Sequence, residues 1–388
     1  MPRSAFARVR RLVVKVGTGS LTDAAGRFDR ENCHRLAAEL AAVAEGRRLV
    51  LVSSGAITLG AQRLGLSRQK GRPWDIATKQ ACAAVGQPHL MNEWAEAFAA
   101  HDLTVAQLLL TAEDLASRKR FLNARRTFEQ LLSRRVVPVV NENDTVAVDE
   151  IKVGDNDSLA ALVAGCVEAE LVAMLTDVEG LYDRDPAEPG AQLLHHVARV
   201  TAEVERVAGG AGSEHSTGGM ATKVKAARKL AAQGVATALL SGRRPGALSA
   251  LLAGEAVGTV FAPAAERLSG RDGWLTAAAK ARGVILVDAG ARRAITEQGK
   301  SLLPSGIKGA QGHFGVGDPV ELAVDPKQPF ARGLAGYGAD DVRRLAGKKT
   351  SQIEEVLGYR HTDEVVHRND LVLLDERHDP GLVPGSGH

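Results

Sequence analysis

Short apolar runs alternate with longer amphipathic ones through the first two-thirds of the chain. Residues 12–16, 48–52, 103–109, 136–140, 171–175 and 235–240 are brief, Val- and Leu-rich stretches. Continuous rather than alternating apolarity is what a strand buried on both faces of a parallel sheet requires. Between them, residues 30–45, 77–98, 119–133 and 157–164 carry helical patterning. The alternation predicts an α/β fold, a three-layer α/β/α sandwich around a mainly parallel open sheet. Residues 145–154, TVAVDEIKVG, alternate in the strand period and predict a hairpin at the sheet's functional edge. From residues 262 to 281 the alternation stops. The Gly-rich sequence beyond it, with its short strands, predicts a small β-rich domain. The expected division is a catalytic domain over residues 1–262, a linker over 263–281, the β-rich domain over 282–374 and a disordered tail over 375–388.

Two glycine turns, each with its own lysine, bring in chemistry. In TGGMATK, Gly218 and Gly219 precede the amphipathic stretch that ends at Gly234, and Lys223 stands one turn in. Glycine lets a backbone approach an anion closely, and the first N–H groups of a helix lack intrahelical partners and lie at the positive end of its dipole. An ordinary Gly-rich loop would share this local pattern. At the other turn, LVVKVGTGS runs from a strand into Gly17 and Gly19, with Lys15 at the strand's carboxyl end, where open α/β sheets bind ligands. Neither turn is a GxxxxGK[ST] loop, and Thr22 stands where a dinucleotide fingerprint needs Gly or Ala. The pair suggests a phosphoryl group held from two sides.

Other polar clusters fall at the same ends of strands. Ser53, Ser54 and Gly55 follow the second strand, where hydroxyl and N–H groups suit a small anion. Asn141, Glu142, Asn143 and Asp144 end the fourth and are too polar for a buried turn without a ligand or a dense hydrogen-bond network. Asp155, Asn156 and Asp157 precede a helix for which Asp157 or Ser158 is a suitable N-cap, and Thr176 and Asp177 follow the fifth strand. Each alone also reads as a solvated turn or cap. Their recurrence at strand carboxyl ends favours a site.

Composition narrows the class. The 388 residues are 45% hydrophobic and 24% charged, as in a soluble globular chain, with a net charge of only +3. Such a balance makes no general case for nucleic acid or membrane binding, and 4% aromatics give few stacking platforms. Cys33, Cys82 and Cys166 are too dispersed for a disulfide framework or zinc site and read as packing residues in a reducing compartment. No signal-peptide core follows Arg10 and Arg11, and the Ala/Leu-rich run at 246–265 is interrupted by Glu255 and Pro263. A cytoplasmic location is expected.

VVKVGTGS, VSSGAI, NENDTVAVDEIKVGDND, LTDVEGLYDRDP and TGGMATK closely resemble, in order and spacing, the glutamate 5-kinases of the amino acid kinase family. TKQACAAVGQ and RFLNARRTF resemble the same group, and SLLPSGIKGAQGHFGVGDPV resembles the PUA domain that many bacterial members carry. The resemblance spans about residues 8–374, and its most specific block is residues 141–157. Ser53 stands where relatives often have threonine.

This resemblance implies an amino acid kinase fold and ATP-dependent phosphorylation of the side-chain carboxylate of L-glutamate to L-glutamyl 5-phosphate, the first step of L-proline biosynthesis. It implies Lys15, Lys223 and Asp157 as catalytic residues, the lysines on the phosphates and Asp157 orienting them, with N–H groups around Gly17 and Gly55 assisting. Ser54, Gly55, Asn141, Asp144 and Asn156 would bind glutamate. Lys15, Gly17, Thr176, Asp177, Thr217, Gly218, Gly219, Met220, Ala221, Thr222 and Lys223 would bind ATP, whose phosphates carry Mg²⁺. It also implies feedback by proline and a homo-oligomer, often a tetramer. PUA domains are best known in RNA-modifying enzymes, but residues 282–374 hold thirteen Lys/Arg against twelve Asp/Glu, which disfavours RNA as a partner.

Overall fold

The computed structural model describes residues 3–66, 74–147, 156–209, 219–263 and 281–374. Two compact units emerge. In the first, β1 (Arg11–Val16), β2 (Arg48–Ser53), β3 (Val105–Leu110), β4 (Val137–Glu142), β5 (Leu171–Thr176), β6 (His196–Val197), β7 (Ala236–Ser241) and β8 (Thr259–Phe261) form one sheet. Their order is β3-β4-β2-β1-β5-β7-β8-β6. All pairings from β3 across to β7 are parallel, and β8 turns antiparallel to β7. Every residue of β4 and β5 is buried, which is why those segments read as unbroken apolar runs. The two- and three-residue strands β6 and β8 are too short to show a period and escape the sequence pattern.

Helices cover both faces. Leu12, Val14 and Val16 of β1 and Leu49 and Leu51 of β2 share a core with Leu36 and Leu40 of the helix Arg30–Ala44 and with Leu90, Trp94 and Phe98 of the helix Ile76–Ala99. Alternate residues such as Val13, Val50 and Met174 are buried on the opposite face. There the helix Asn156–Cys166 packs on β1 and β5 and against the helix Met220–Ala232. The chain leaves β1 toward β2 on one side and later returns to pair β5 on the other. That reversal opens a crevice at the carboxyl ends of the central strands.

The second unit has a five-stranded sheet of its own. β9 (Gly283–Val287), β10 (Ile307–Gly312), β11 (Pro319–Ala323), β12 (Pro329–Leu334) and β13 (Leu371–Leu373) run in the order β10-β9-β11-β12-β13. Only β9 and β11 pair in parallel. Ile285, Val287, Val320, Leu322, Tyr337 and Val342 centre its separate core.

Two glycines set how closely the helices Ala56–Arg63 and Ile76–Ala99 approach. A Cβ on Gly60 would stand 1.7 Å from the Cys82 carbonyl oxygen, and one on Gly86 would stand 1.8 Å from that of Ala56. The backbones touch where side chains would otherwise separate them. In an open helix, Gly→Ala gains up to about 1 kcal/mol. Here overpacking against backbone reverses the sign. Gly86→Ala and Gly60→Ala are each expected to destabilise the fold by about 3 kcal/mol, read as a lower urea midpoint at unchanged slope.

Candidate active site

Lys15 is the fifth residue of β1, paired in register with Val52 of β2 and Met174 of β5, and is only 4% exposed. A lysine so placed needs a counter-ion. Asp157 supplies it from the first turn of the helix Asn156–Cys166, with Lys15 Nζ 2.7 Å from its Oδ1. Its other oxygen, Oδ2, lies 3.3 Å from Lys223 Nζ and accepts a 2.7 Å hydrogen bond from the Thr222 hydroxyl. Asp157 is 1% exposed and Lys223 5%. Burial alone would raise the Asp157 carboxyl, but Lys15 and Lys223 together outweigh it and hold the group below its ordinary range. Burial pushes the Lys223 ammonium down, beyond what Asp157 restores. Two ammonium groups share one carboxylate, so the trio carries net positive charge out of contact with bulk water and suits an anion.

One expected detail is corrected. The helix begins at Asn156, so Asp157 lies within its first turn, its carboxylate turned to the lysines instead of capping the backbone. Among the N–H groups around Gly17, that of Gly17 itself donates to the Leu175 carbonyl at 3.0 Å. Gly17 contributes space instead. A Cβ there would meet the Leu175 oxygen at 3.2 Å and Lys15 Nζ at 3.5 Å. Gly19 likewise faces Asp177, whose Oδ1 accepts from the Thr176 hydroxyl at 2.9 Å. Gly219 caps the helix Met220–Ala232 without a side-chain hydrogen bond, placing Met220, Ala221, Thr222 and Lys223 in its first turn. Thr217, Gly218, Asp155 and the rest of the expected hairpin from Val148 on lie outside the described residues.

Beside the charged trio runs a chain of side-chain amides. The Glu142 backbone N–H donates to Asn141 Oδ1 at 2.9 Å and to Asn156 Oδ1 at 3.3 Å. A backbone N–H cannot be an acceptor, so it fixes which end of each amide is oxygen. Asn156 Nδ2 then donates to Asn141 Oδ1 at 2.9 Å and to Ser54 Oγ at 3.0 Å, while Asn141 Nδ2 donates to Gln87 Oε1 at 2.8 Å. Ser54 accepts from Asn156, which leaves its hydroxyl hydrogen able to point at an anion. Ser53 is engaged elsewhere, accepting from the Trp94 indole at 2.8 Å. Gly55 starts the helix Ala56–Arg63 at φ +111°, a conformation that favours glycine. Asp144 is buried nearby in sequence with its Oδ1 lacking a hydrogen-bond partner, an acceptor suited to an ammonium group.

The sequence patterns assign Gln87 no role. The available signal was a polar residue between Gly86 and Pro88 in an otherwise apolar helical stretch. Among the described residues, no group of three or more His, Cys, Asp and Glu side chains is placed to hold a metal ion. Nor is any helix among them long and apolar enough to cross a membrane.

The amino acid kinase family model matches residues 10–240, and the PUA domain model matches residues 283–357. The chain belongs to the amino acid kinase family. It is 75% identical to the glutamate 5-kinase of Anaeromyxobacter dehalogenans over 97% of this chain and 99% of that one. To the glutamate 5-kinase of Myxococcus xanthus it is 54% identical, covering 96% of this chain and 98% of the relative. That of Pelobacter propionicus is 48% identical over 96% of this chain and all of its own length. In this kinase, then, the buried trio and the amide chain lie in the family-matched part, and the β-rich unit carries the PUA match.

Burial, helped by the neighbouring Glu142 carboxylate, pushes the Asp144 carboxyl of this kinase up to about 7 from an ordinary 3.8. The folded chain keeps a proton that the unfolded chain releases near 3.8, so this group's contribution to stability is full below 3.8 and is lost as pH rises through about 7. Asp144→Asn, which cannot ionise, is therefore expected to melt several degrees above the parent at about pH 8. The gap should close as the pH is lowered toward 4, with ligand-free protein followed by circular dichroism at each pH.

Proposed function

We propose that this chain is a glutamate 5-kinase, transferring the γ-phosphoryl group of ATP to the side-chain carboxylate of L-glutamate in the first step of L-proline synthesis. The observation that carries the reading is the pair of lysines on one buried carboxylate beside a polarised amide chain and a free aspartate oxygen. The trio suits phosphates, and the amides with Asp144 suit an amino acid bearing both a carboxylate and an ammonium. A glutamate carboxylate is already anionic near neutral pH, so no general base is needed. The obstacle is repulsion between two anions, and catalysis rests on alignment and neutralisation.

Lys15 and Lys223 contact the β- and γ-phosphates and the group in flight, and Asp157 holds the two ammonium groups in place. A side-chain carboxylate oxygen bonds to the γ-phosphorus while the bond to the β,γ-bridging oxygen breaks, and ADP leaves with that electron pair. Gly17, Thr176, Asp177 and residues 217–223 form the nucleotide side, and Ser54, Gly55, Asn141, Asp144 and Asn156 the glutamate side. Mg²⁺ carried on the nucleotide's phosphates would supply further charge neutralisation beside Lys15 and Lys223.

On this reading the enzyme is a cytoplasmic homo-oligomer, a tetramer as in many family members, inhibited by proline. It also extends to a catalytic domain over residues 1–262, a linker over 263–281 and a PUA-like appendage over 282–374. The near balance of charge in that appendage favours a structural or regulatory role over RNA binding.

Incubation with MgATP and glutamate, N-acetylglutamate, aspartate or UMP, with hydroxylamine as trap, is expected to give hydroxamate from glutamate alone. Lys15→Ala and Lys223→Ala should each lower turnover about 10²–10³-fold with a smaller effect on glutamate KM. Turnover within a few-fold of the parent would remove the lysines from the chemistry.

A chain ended near Pro263 is expected to remain a folded kinase, because residues 8–262 contain every group assigned to the reaction. Soluble yield, hydroxamate formation and proline inhibition beside the full chain test this. A folded but inactive truncation would mean that the appendage completes the site.

A further inference from the structure

Gln87 is 8% exposed, and its amide nitrogen Nε2 has no hydrogen-bond partner. A buried donor left empty is costly in a native structure and calls for an acceptor that arrives from outside. The orientation of this amide is fixed. The Glu142 N–H makes the Asn141 oxygen the acceptor, so Asn141 presents its nitrogen to Gln87, and Gln87 must answer with Oε1. Nε2 is thereby turned away from Asn141 with two hydrogens to donate. The helix that carries it is held against the backbone just after Ser54 by the Gly86 contact with Ala56, which ties Gln87 to the same strand ends as the amide chain.

The order of strands gives the donor its end of the site. Lys15 lies on β1, Ser54 follows β2, and Asn141 lies on β4, the next strand outward. At about 4.8 Å per strand, Asn141 and its partner Gln87 sit about 10 Å across the sheet from the lysine strand. Phosphoryl transfer belongs to the Lys15 end. The far end receives whatever part of the amino acid is not phosphorylated.

Resting on the glutamate reading above, we infer that Gln87 donates its free amide N–H to the α-carboxylate of the bound amino acid and selects for that charge. Two roles are thus combined in one side chain: Oε1 steadies Asn141, and Nε2 reads the substrate.

Gln87→Glu separates these roles, because it keeps an oxygen toward Asn141 and replaces the free donor with an anion. The substrates are L-glutamate and its α-amide, which keeps the side-chain carboxylate and the ammonium but presents a neutral carboxamide. Gln87→Glu is expected to raise the glutamate KM about tenfold or more while the KM for ATP stays unchanged. The preference for glutamate over the α-amide should fall by about 10²-fold, since the new carboxylate repels one ligand and accepts from the other. The α-amide is followed as a substrate, or as a competitive inhibitor where its turnover is slow. An unchanged preference overturns the inference, as does an equal loss for both ligands, which would leave Gln87 acting only through Asn141. If Gln87→Glu does not fold, Gln87→Met carries the test. A glutamate KM raised about tenfold at constant ATP KM supports the donor, and an unchanged KM overturns it. Absence of any hydroxamate from glutamate in the parent protein would instead sink the kinase reading itself.

Discussion

A single carboxylate shared by two buried ammonium groups is the interaction on which the site depends. Asp157, on a helix laid across β1, reaches both Lys15 on that strand and Lys223 on the helix packed beside its own, so three elements far apart in sequence converge on two oxygen atoms. Removing one partner of such a group leaves an uncompensated charge in a medium that solvates it poorly, which typically costs about 3–5 kcal/mol. The arrangement is therefore rigid before any ligand arrives. Rigidity has a catalytic value, because donors already in place for developing charge need no reorganisation during the reaction.

The neighbouring half of the site works by direction instead of charge. One backbone N–H, that of Glu142, sets the sense of Asn141 and Asn156, and through them the hydrogen-bonding sense of Ser54 and Gln87. The Gln87 amide is left with a free donor, and the unmatched Asp144 oxygen remains as an acceptor. Asp144 is held at a cost to the ligand-free fold, since burial disfavours its ionised form.

Much of this was legible in the chain. Buried parallel strands announce themselves as unbroken apolar runs, and the lysines, glycines and acids at their carboxyl ends stood out because such residues are expensive to bury. The parts that stayed hidden share a physical reason, which is that they depend on contacts between distant segments. Asp157 reads locally as a helix cap, and only the family resemblance, not the local sequence, points it at Lys15 and Lys223. The Gly17 N–H is taken up by Leu175, 158 positions away, a contact that local sequence cannot show. Gln87 appeared as one polar residue in a helix, and its meaning lies in an orphan nitrogen that only the folded amide chain reveals. β6 and β8 were missed for lack of length alone.

Because the amide chain takes its sense from one main-chain atom, its errors are not local. Exchanging a single nitrogen for oxygen, as in Asn141→Asp, would place an acceptor where Gln87 Oε1 now accepts. Gln87 would have to turn over, sending its oxygen to where its free nitrogen stood and leaving the distant end of the pocket with the wrong polarity. A change that alters neither shape nor volume would thus be felt beyond the next side chain. Polarity at that end is set by a side chain one step removed, while Asn156 keeps its sense from the Glu142 N–H.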